Sequence, residues 1–184
     1  MQALLLAAGR GRRFGSDKLL HPVAGGIPLA LAAARNLQAA LPGALAVVNG
    51  ENPELMALLE EAGLRTTVCP HAAQGMGASL AWGVAQTRNA DGWLIALADM
   101  PWVRPDTILA VAGAVAGGLD IAAPVFQGKR GHPVAFGREH GGELAGLAGD
   151  EGARHLLAAH AARLLRLDCD DPGVIRDVDT RAAL

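Results

Sequence analysis

Aromatic residues make up only 3% of this 184-residue chain, so its core cannot rest on a few large rings. The hydrophobic share of 51% is instead carried by Ala, Leu and Val, whose small side chains favour close helix-on-sheet packing at a length ample for one cored domain. Cysteine is almost missing. Cys69 and Cys169 stand far apart with no CxxC, which excludes a disulfide framework or thiolate metal site and suits a reducing cytoplasm. Long apolar runs are missing too: the uncharged apolar stretch Thr107 to Leu119 is broken by glycines and too short to cross a bilayer. The amino end is apolar first and basic afterwards, the reverse of a secretory signal. Nor is there an excess of charge. A net charge of −2 creates no field that calls for nucleic acid or an anionic membrane.

What is present is an alternation of strand-like and helix-like segments. Apolar runs predict strands at Ala3–Ala8, Ala44–Val48, Leu64–Cys69, Trp93–Ala98, Asp120–Val125, Val134–Phe136, Leu164–Asp168 and Val174–Val178. Helical spacing covers Pro28–Leu41, Pro53–Ala62, Met76–Thr87 and Asp106–Ala116, with short helices near Glu143 and over Glu151–Ala162. Asn52 reads as an N-cap and Gly63 as a C-terminal stop. This order predicts an α/β three-layer sandwich with a mostly parallel, Rossmann-like sheet. There is no linker or repeat, so residues 1–184 are expected to form one domain. In open sheets of this kind ligands sit beyond the strands' carboxyl ends. Gly9–Lys18, Gln74–Ser79 and Asp99–Pro101 should therefore share one rim.

The most informative segment follows the first strand. Gly9, Gly11 and Gly15 are interleaved with Arg10, Arg12, Arg13 and Lys18. Glycines let backbone N–H groups close on a ligand, and the cations suit a polyanion, so a nucleotide's phosphates are the expected occupant. Neither common phosphate loop fits: Phe14 replaces the third glycine of the dinucleotide fingerprint, and Gly15-Ser16-Asp17-Lys18 is not Gly-Lys-Ser/Thr. The plainer alternative is a basic surface turn. On a nearly neutral protein the loop suits a small anion better than a polymer.

A second signal is Leu94-Ile95-Ala96-Leu97-Ala98-Asp99-Met100-Pro101, an apolar strand ending in one carboxylate. Asp99 is placed to ligate Mg²⁺ beside a phosphate, or else to cap the turn. A companion carboxylate is expected from Asp177-Val178-Asp179-Thr180, where the two Asp share a face if the segment is a strand. A solvated acidic strand end is the alternative there. Asp168, Asp170 and Asp171 read as a polar turn before Pro172-Gly173. Gln74-Gly75-Met76-Gly77-Ala78-Ser79 opens a helix with glycines and a hydroxyl. Arg154 and the 149–152 backbone are able to hold a terminal phosphate. The remaining histidines, His21, His71, His140, His155 and His160, show no zinc-like spacing, and the three tryptophans read as packing.

Leu6-Ala7-Ala8-Gly9, Arg13-Phe14-Gly15 and Lys18-Leu19-Leu20 together resemble the signature of the small nucleotidyltransferases that mature the molybdenum cofactor, the cytidylyltransferases above all. Gly11 stands where Ser is common there, and Phe14 where Met is usual. The resemblance runs over nearly the whole chain. It implies a sheet of the nucleotide-diphospho-sugar transferase type, with residues 1–125 mainly binding nucleotide and 126–184 mainly facing the acceptor. It assigns Arg13 and Lys18 to catalysis and Leu6, Ala7, Ala8, Gly9, Gly11, Gly15, Gly75 and Ser79 to the nucleotide, Ser79 at the base. Asp99 and Asp179 fall on metal positions for Mg²⁺ or Mn²⁺, although Arg181 replaces the usual Pro after Thr180. His132, Gly149, Asp150 and Arg154 match acceptor-side segments.

The implied reaction is Mg-dependent transfer of a cytidylyl group from CTP to molybdenum-loaded molybdopterin, with a molybdenum hydroxylase as client of the product. Ala8, where guanylyltransferases carry Gly, narrows the pocket in favour of a pyrimidine. GTP with the same acceptor, a sugar- or polyol-phosphate acceptor, and a non-catalytic cofactor carrier are the alternatives. A carrier has no use for a triphosphate clamp and a metal.

Overall fold

In the computed structural model, the residues described are 1–9, 17–23, 25–150 and 152–179. Eight strands form one sheet: β1 (Gln2–Ala7), β2 (Leu45–Val48), β3 (Arg65–Val68), β4 (Gly92–Leu97), β5 (Ile121–Phe126), β6 (Lys129–Arg130), β7 (Val134–Gly137) and β8 (Leu164–Asp168). The order is β3-β2-β1-β4-β7-β5, with β6 and β8 also pairing to β5. The β3-β2-β1-β4 half is wholly parallel, and β8 is parallel to β5. Strand β7 enters antiparallel between β4 and β5, with Trp93 opposite Phe136 and Ile121 opposite Phe136.

Among the described residues, six α-helices cover the sheet: α1 (Leu29–Ala40), α2 (Pro53–Glu61), α3 (Met76–Gln86), α4 (Pro105–Ala116), α5 (Gly141–Ala145) and α6 (Arg154–Ala159). Alternation along β1 divides the core. Ala3, Leu5 and Ala7 face a cluster with Leu29 and Leu37 of α1, Leu55 of α2 and Ile108 and Val111 of α4. Leu4 and Leu6 face Leu80 and Val84 of α3, Leu144 of α5 and Leu156 of α6. A strand buried on both faces reads as a continuous apolar run, which is why Ala3–Ala8 was legible. Small side chains let the helices approach closely: at Gly83 on α3 a Cβ would come within 2.9 Å of Val47. Helix α3 lies on the sheet with no room for a larger side chain. Asn52 caps α2, accepting from the Leu55 N–H at 3.1 Å, and Pro53 supplies the preset first turn.

Two expectations need correction. Val174–Val178 is not a strand: Pro172–Ile175 forms a 3₁₀ turn and residues 176–179 lie outside the sheet without regular structure. Asp171 accepts from the Gly173 N–H at 2.9 Å and Pro172 presets the helical φ, so the local cap outweighs the β-branched run. Strand β8 also already pairs along β5. The helix expected over 151–162 is shorter, Arg154–Ala159, followed by a 3₁₀ turn at Ala161–Arg163. Among the described residues, no helix is long and apolar enough to cross a membrane.

Candidate functional site

The carboxyl ends of β1 and β4 lie side by side, the Ala98 N–H donating to the Leu6 carbonyl at 3.1 Å. There the chain turns at Asp99, and Lys18 comes up from the 3₁₀ turn Lys18–Leu20. The Lys18 ammonium lies 2.8 Å from Asp99 Oδ2 and 3.3 Å from Asp179 Oδ1. Burial works against this ammonium, but the hydrogen bonds and charges of Asp99 and Asp179 outweigh it and raise its pKa above the ordinary lysine value. Asp17 shapes the approach by accepting from the Leu19 N–H at 3.2 Å and from the Asn52 side chain.

Asp179 reaches this point because its segment is tied to the rim. The Val178 N–H donates to the Asp99 carbonyl at 3.0 Å. Behind it, Asp171 is 1% exposed and accepts from the Arg104 N–H, the Thr107 hydroxyl and the Gly173 N–H, each at 2.9 Å. Of the expected polar turn, Asp168 and Asp170 are exposed and Asp171 is a buried anchor. Two carboxylates converging on one cation fit a divalent ion of the Mg²⁺ or Mn²⁺ kind, which takes one or two carboxylates plus phosphate oxygens and water.

His132, which begins a cis peptide bond to Pro133, stands between this pair and a cationic patch. Its Nδ1 is sealed from solvent without a hydrogen-bond partner. Burial first, and then Arg130, push its pKa down to about 4, against the opposing pull of Asp99 and a hydrogen bond to the Ile95 backbone. The unfolded chain, near 6.5, therefore takes up the proton first as pH falls. The stability held by neutral His132 is complete above about pH 6.5 and lost towards pH 4, amounting to about 3 kcal/mol. Urea unfolding between pH 4 and 7 should show this acid slope reduced in His132→Gln; an unchanged slope would remove His132 as its source.

The sequence pointed to Arg154 of this patch but missed Arg130 and Arg166. Arg130 on β6 is opposite Val125, and Arg166 on β8 is opposite Ala123. Because Val125 and Ala123 share a face of β5, the two arginines flank it on that face, the one covered by α6. Burial and then the charges of Arg166 and Arg154 lower the Arg130 pKa. Only strand register could have revealed this grouping.

The other expected residues divide. Gly75 has φ +116° and faces Asp150 and Gly149, while the Gly77 N–H donates to the Gly149 carbonyl at 2.8 Å. The expected base segment and acceptor segment therefore touch one another. Gly9 is exposed with open space around it. Leu6, Ala7 and Ala8 are packed into the core; the Ala8 carbonyl accepts from Asn49 at 3.3 Å, another rim contact the sequence did not suggest. Ser79 is 3% exposed, and its hydroxyl donates to the Gly75 carbonyl at 3.4 Å, inside the helix's first turn. Arg13, Gly11 and Gly15 lie outside the described residues.

A family model described as the MobA-like NTP transferase domain matches residues 3–164. The chain belongs to this family. The NTP transferase is 31% identical to purine catabolism protein PucB of Bacillus subtilis (strain 168), over 96% of this chain and 90% of PucB. Among solved structures it resembles Rv0371c of Mycobacterium tuberculosis H37Rv, with a TM-score of 0.81 and 28% identity over 99% of this chain and 94% of that one. A manganese complex of Rv0371c matches with a TM-score of 0.78. A nucleotidyl transferase from Methanothermobacter, Mth528, superposes with a TM-score of 0.82 at 21% identity, over 99% and 93% of the two chains; at that identity the likeness speaks for the fold. Nucleotidyl transfer is the chemistry of the family, and a related structure holds a divalent metal.

Proposed function

We propose that this NTP transferase moves a cytidylyl group from CTP to the phosphate of molybdenum-loaded molybdopterin, releasing pyrophosphate and supplying a molybdenum hydroxylase. The observation that carries the reading is the meeting of Lys18, Asp99 and Asp179 at the carboxyl ends of β1 and β4. The choice of CTP rests on Ala8 standing where guanylyltransferases carry Gly, and the choice of acceptor on the sequence resemblance. PucB is named for purine catabolism, and a hydroxylase acting on purines would suit that name.

In the reaction, an oxygen of the acceptor phosphate forms a bond to the α-phosphorus of CTP. The bond from that phosphorus to the bridging oxygen breaks, and the electron pair leaves with pyrophosphate. The acceptor phosphate, with a second pKa near about 6, is already largely dianionic at neutral pH, so the site needs no strong base. Its task is alignment and charge neutralisation. A bound divalent ion, held by Asp99 and Asp179, would screen the phosphate oxygens from one another. Lys18, already poised between the two carboxylates, and Arg13 would hold the triphosphate and balance charge on the departing pyrophosphate. Arg130, Arg154 and Arg166 would receive the acceptor's anionic end, and His132, kept neutral, would border the path between them.

Pyrophosphate release, measured with the four common triphosphates against one preparation of molybdenum cofactor and Mg²⁺, tests the assignment. CTP should be used fastest; a preference for GTP would make the protein a guanylyltransferase, and binding of cofactor without turnover would make it a carrier. Chelating the metal with EDTA should stop release. Arg130→Ala and Arg166→Ala should each raise the acceptor KM roughly tenfold, a loss of about 1.4 kcal/mol, while the CTP KM stays within twofold. An unchanged acceptor KM would put the acceptor elsewhere.

A further inference from the structure

At the opposite end of the sheet, where β7 finishes beside the start of β4 (Gly137 opposite Gly92), three side chains meet that the transfer reaction does not use. His140 Nδ1 lies 3.1 Å from Glu143 Oε2, and His160 Nε2 lies 2.9 Å from the same oxygen and 3.1 Å from Oε1. All three ligand atoms fall within 4.8 Å of one another. A tetrahedral ion with ligands at 2.0–2.1 Å would set them about 3.3 Å apart, so these side chains need shift little to hold one.

A second observation points the same way. His140 is 2% exposed, and its Nε2 is buried without a hydrogen-bond partner. That nitrogen faces carboxylates: Glu139 Oε1 is 3.9 Å away, and Asp120, itself paired with Arg163, completes a group within 4.8 Å. A neutral His140 that donates from Nδ1 to Glu143 aims a bare lone pair at negative charge, which is costly in a buried place. A metal on Nδ1 reverses the tautomer. The proton then sits on Nε2 and points at the carboxylates, the outer arrangement that metal-ligating histidines normally have.

We infer that His140 Nδ1, the Glu143 carboxylate and His160 Nε2 form a second metal site, for a zinc-class divalent transition ion with water at the fourth position. Two imidazoles and one carboxylate suit that class over Mg²⁺, which separates this site from the oxygen-rich rim. His140 ends the 3₁₀ turn before α5, Glu143 lies on α5 and His160 closes α6. The ion would therefore staple the two helices that bracket the segment carrying Gly149 and Asp150.

Co²⁺ serves as the probe, added to the Asp99→Ala chain so that the rim site is disabled. The expected result is one Co²⁺ per chain with the intense visible bands of a low-coordinate, nitrogen-ligated ion, displaced by Zn²⁺. Glu143→Gln and His160→Gln in that background should each weaken binding by at least about 100-fold, the upper end of what losing even a supporting partner costs. Zn²⁺ should raise the melting temperature of the parent but of neither variant. Absence of the bands in the parent, or bands and affinity unchanged in both variants, would overturn the site. Failure of transfer activity has no bearing on these readouts.

Discussion

Asp99→Asn should lower kcat for pyrophosphate release by about 10³-fold while leaving the fold intact. The substitution keeps the side chain's shape but removes the charge that faces Lys18 at 2.8 Å. Electrostatic groups aimed at a reacting phosphate or oxyanion are worth about 10²–10³-fold each, and Asp99 is the less exposed of the two carboxylates. Asp179→Asn should cost less, since Asp179 is more than half exposed and its contact to Lys18 is longer, at 3.3 Å. Loss of the Asp99–Lys18 pair should destabilise the protein by less than about 2 kcal/mol. Far-ultraviolet circular dichroism and a melting curve separate loss of catalysis from loss of fold. A folded Asp99→Asn protein with undiminished kcat would remove the carboxylate from the reaction.

Asp171→Ala should have the largest effect on stability, about 3 kcal/mol or more. Its carboxylate is almost wholly buried and accepts from three donors, two at the start of α4 and one in its own turn. Truncation leaves those donors without a partner in a place water does not reach, and each such loss costs about 1–3 kcal/mol. For a chain of this length the melting temperature should fall by roughly 6–12 °C. Activity should fall as well, because Asp171 anchors the segment that delivers Asp179 to the rim. The diagnostic sign is a raised requirement for Mg²⁺ at temperatures where the variant is still folded. A melting temperature within a degree of the parent would show that the anchor is dispensable.

These two aspartates illustrate how unevenly the chain could be read. Asp99 was legible because it ends an apolar run and precedes Pro101, so its place at a strand's carboxyl end followed from local pattern. Asp171 was not, for a polar residue before Pro-Gly looks the same whether the turn is solvated or packed against α4. The Val174–Val178 run carried a true apolar signal but no information on whether a sheet edge was left to receive it. Ser79 matched a motif while its hydroxyl was turned into its own helix. Arg130 and Arg166 carry no motif and become neighbours only through their register against β5.

Order along the chain was thus enough to establish the alternation of strands and helices, the caps and breaks between them, and the rim on which Lys18 and Asp99 fall. Such signals are short-range: they arise from side-chain periodicity and backbone preference within a few residues. Which side chains share that rim was settled by packing. Lys18 meets Asp99 and Asp179 across 81 and 161 positions of sequence, and His140 and Glu143 meet His160 only because α5 and α6 cover the same face. Contacts of that kind depend on sheet register and on how closely small side chains let helices approach, and no local pattern records either.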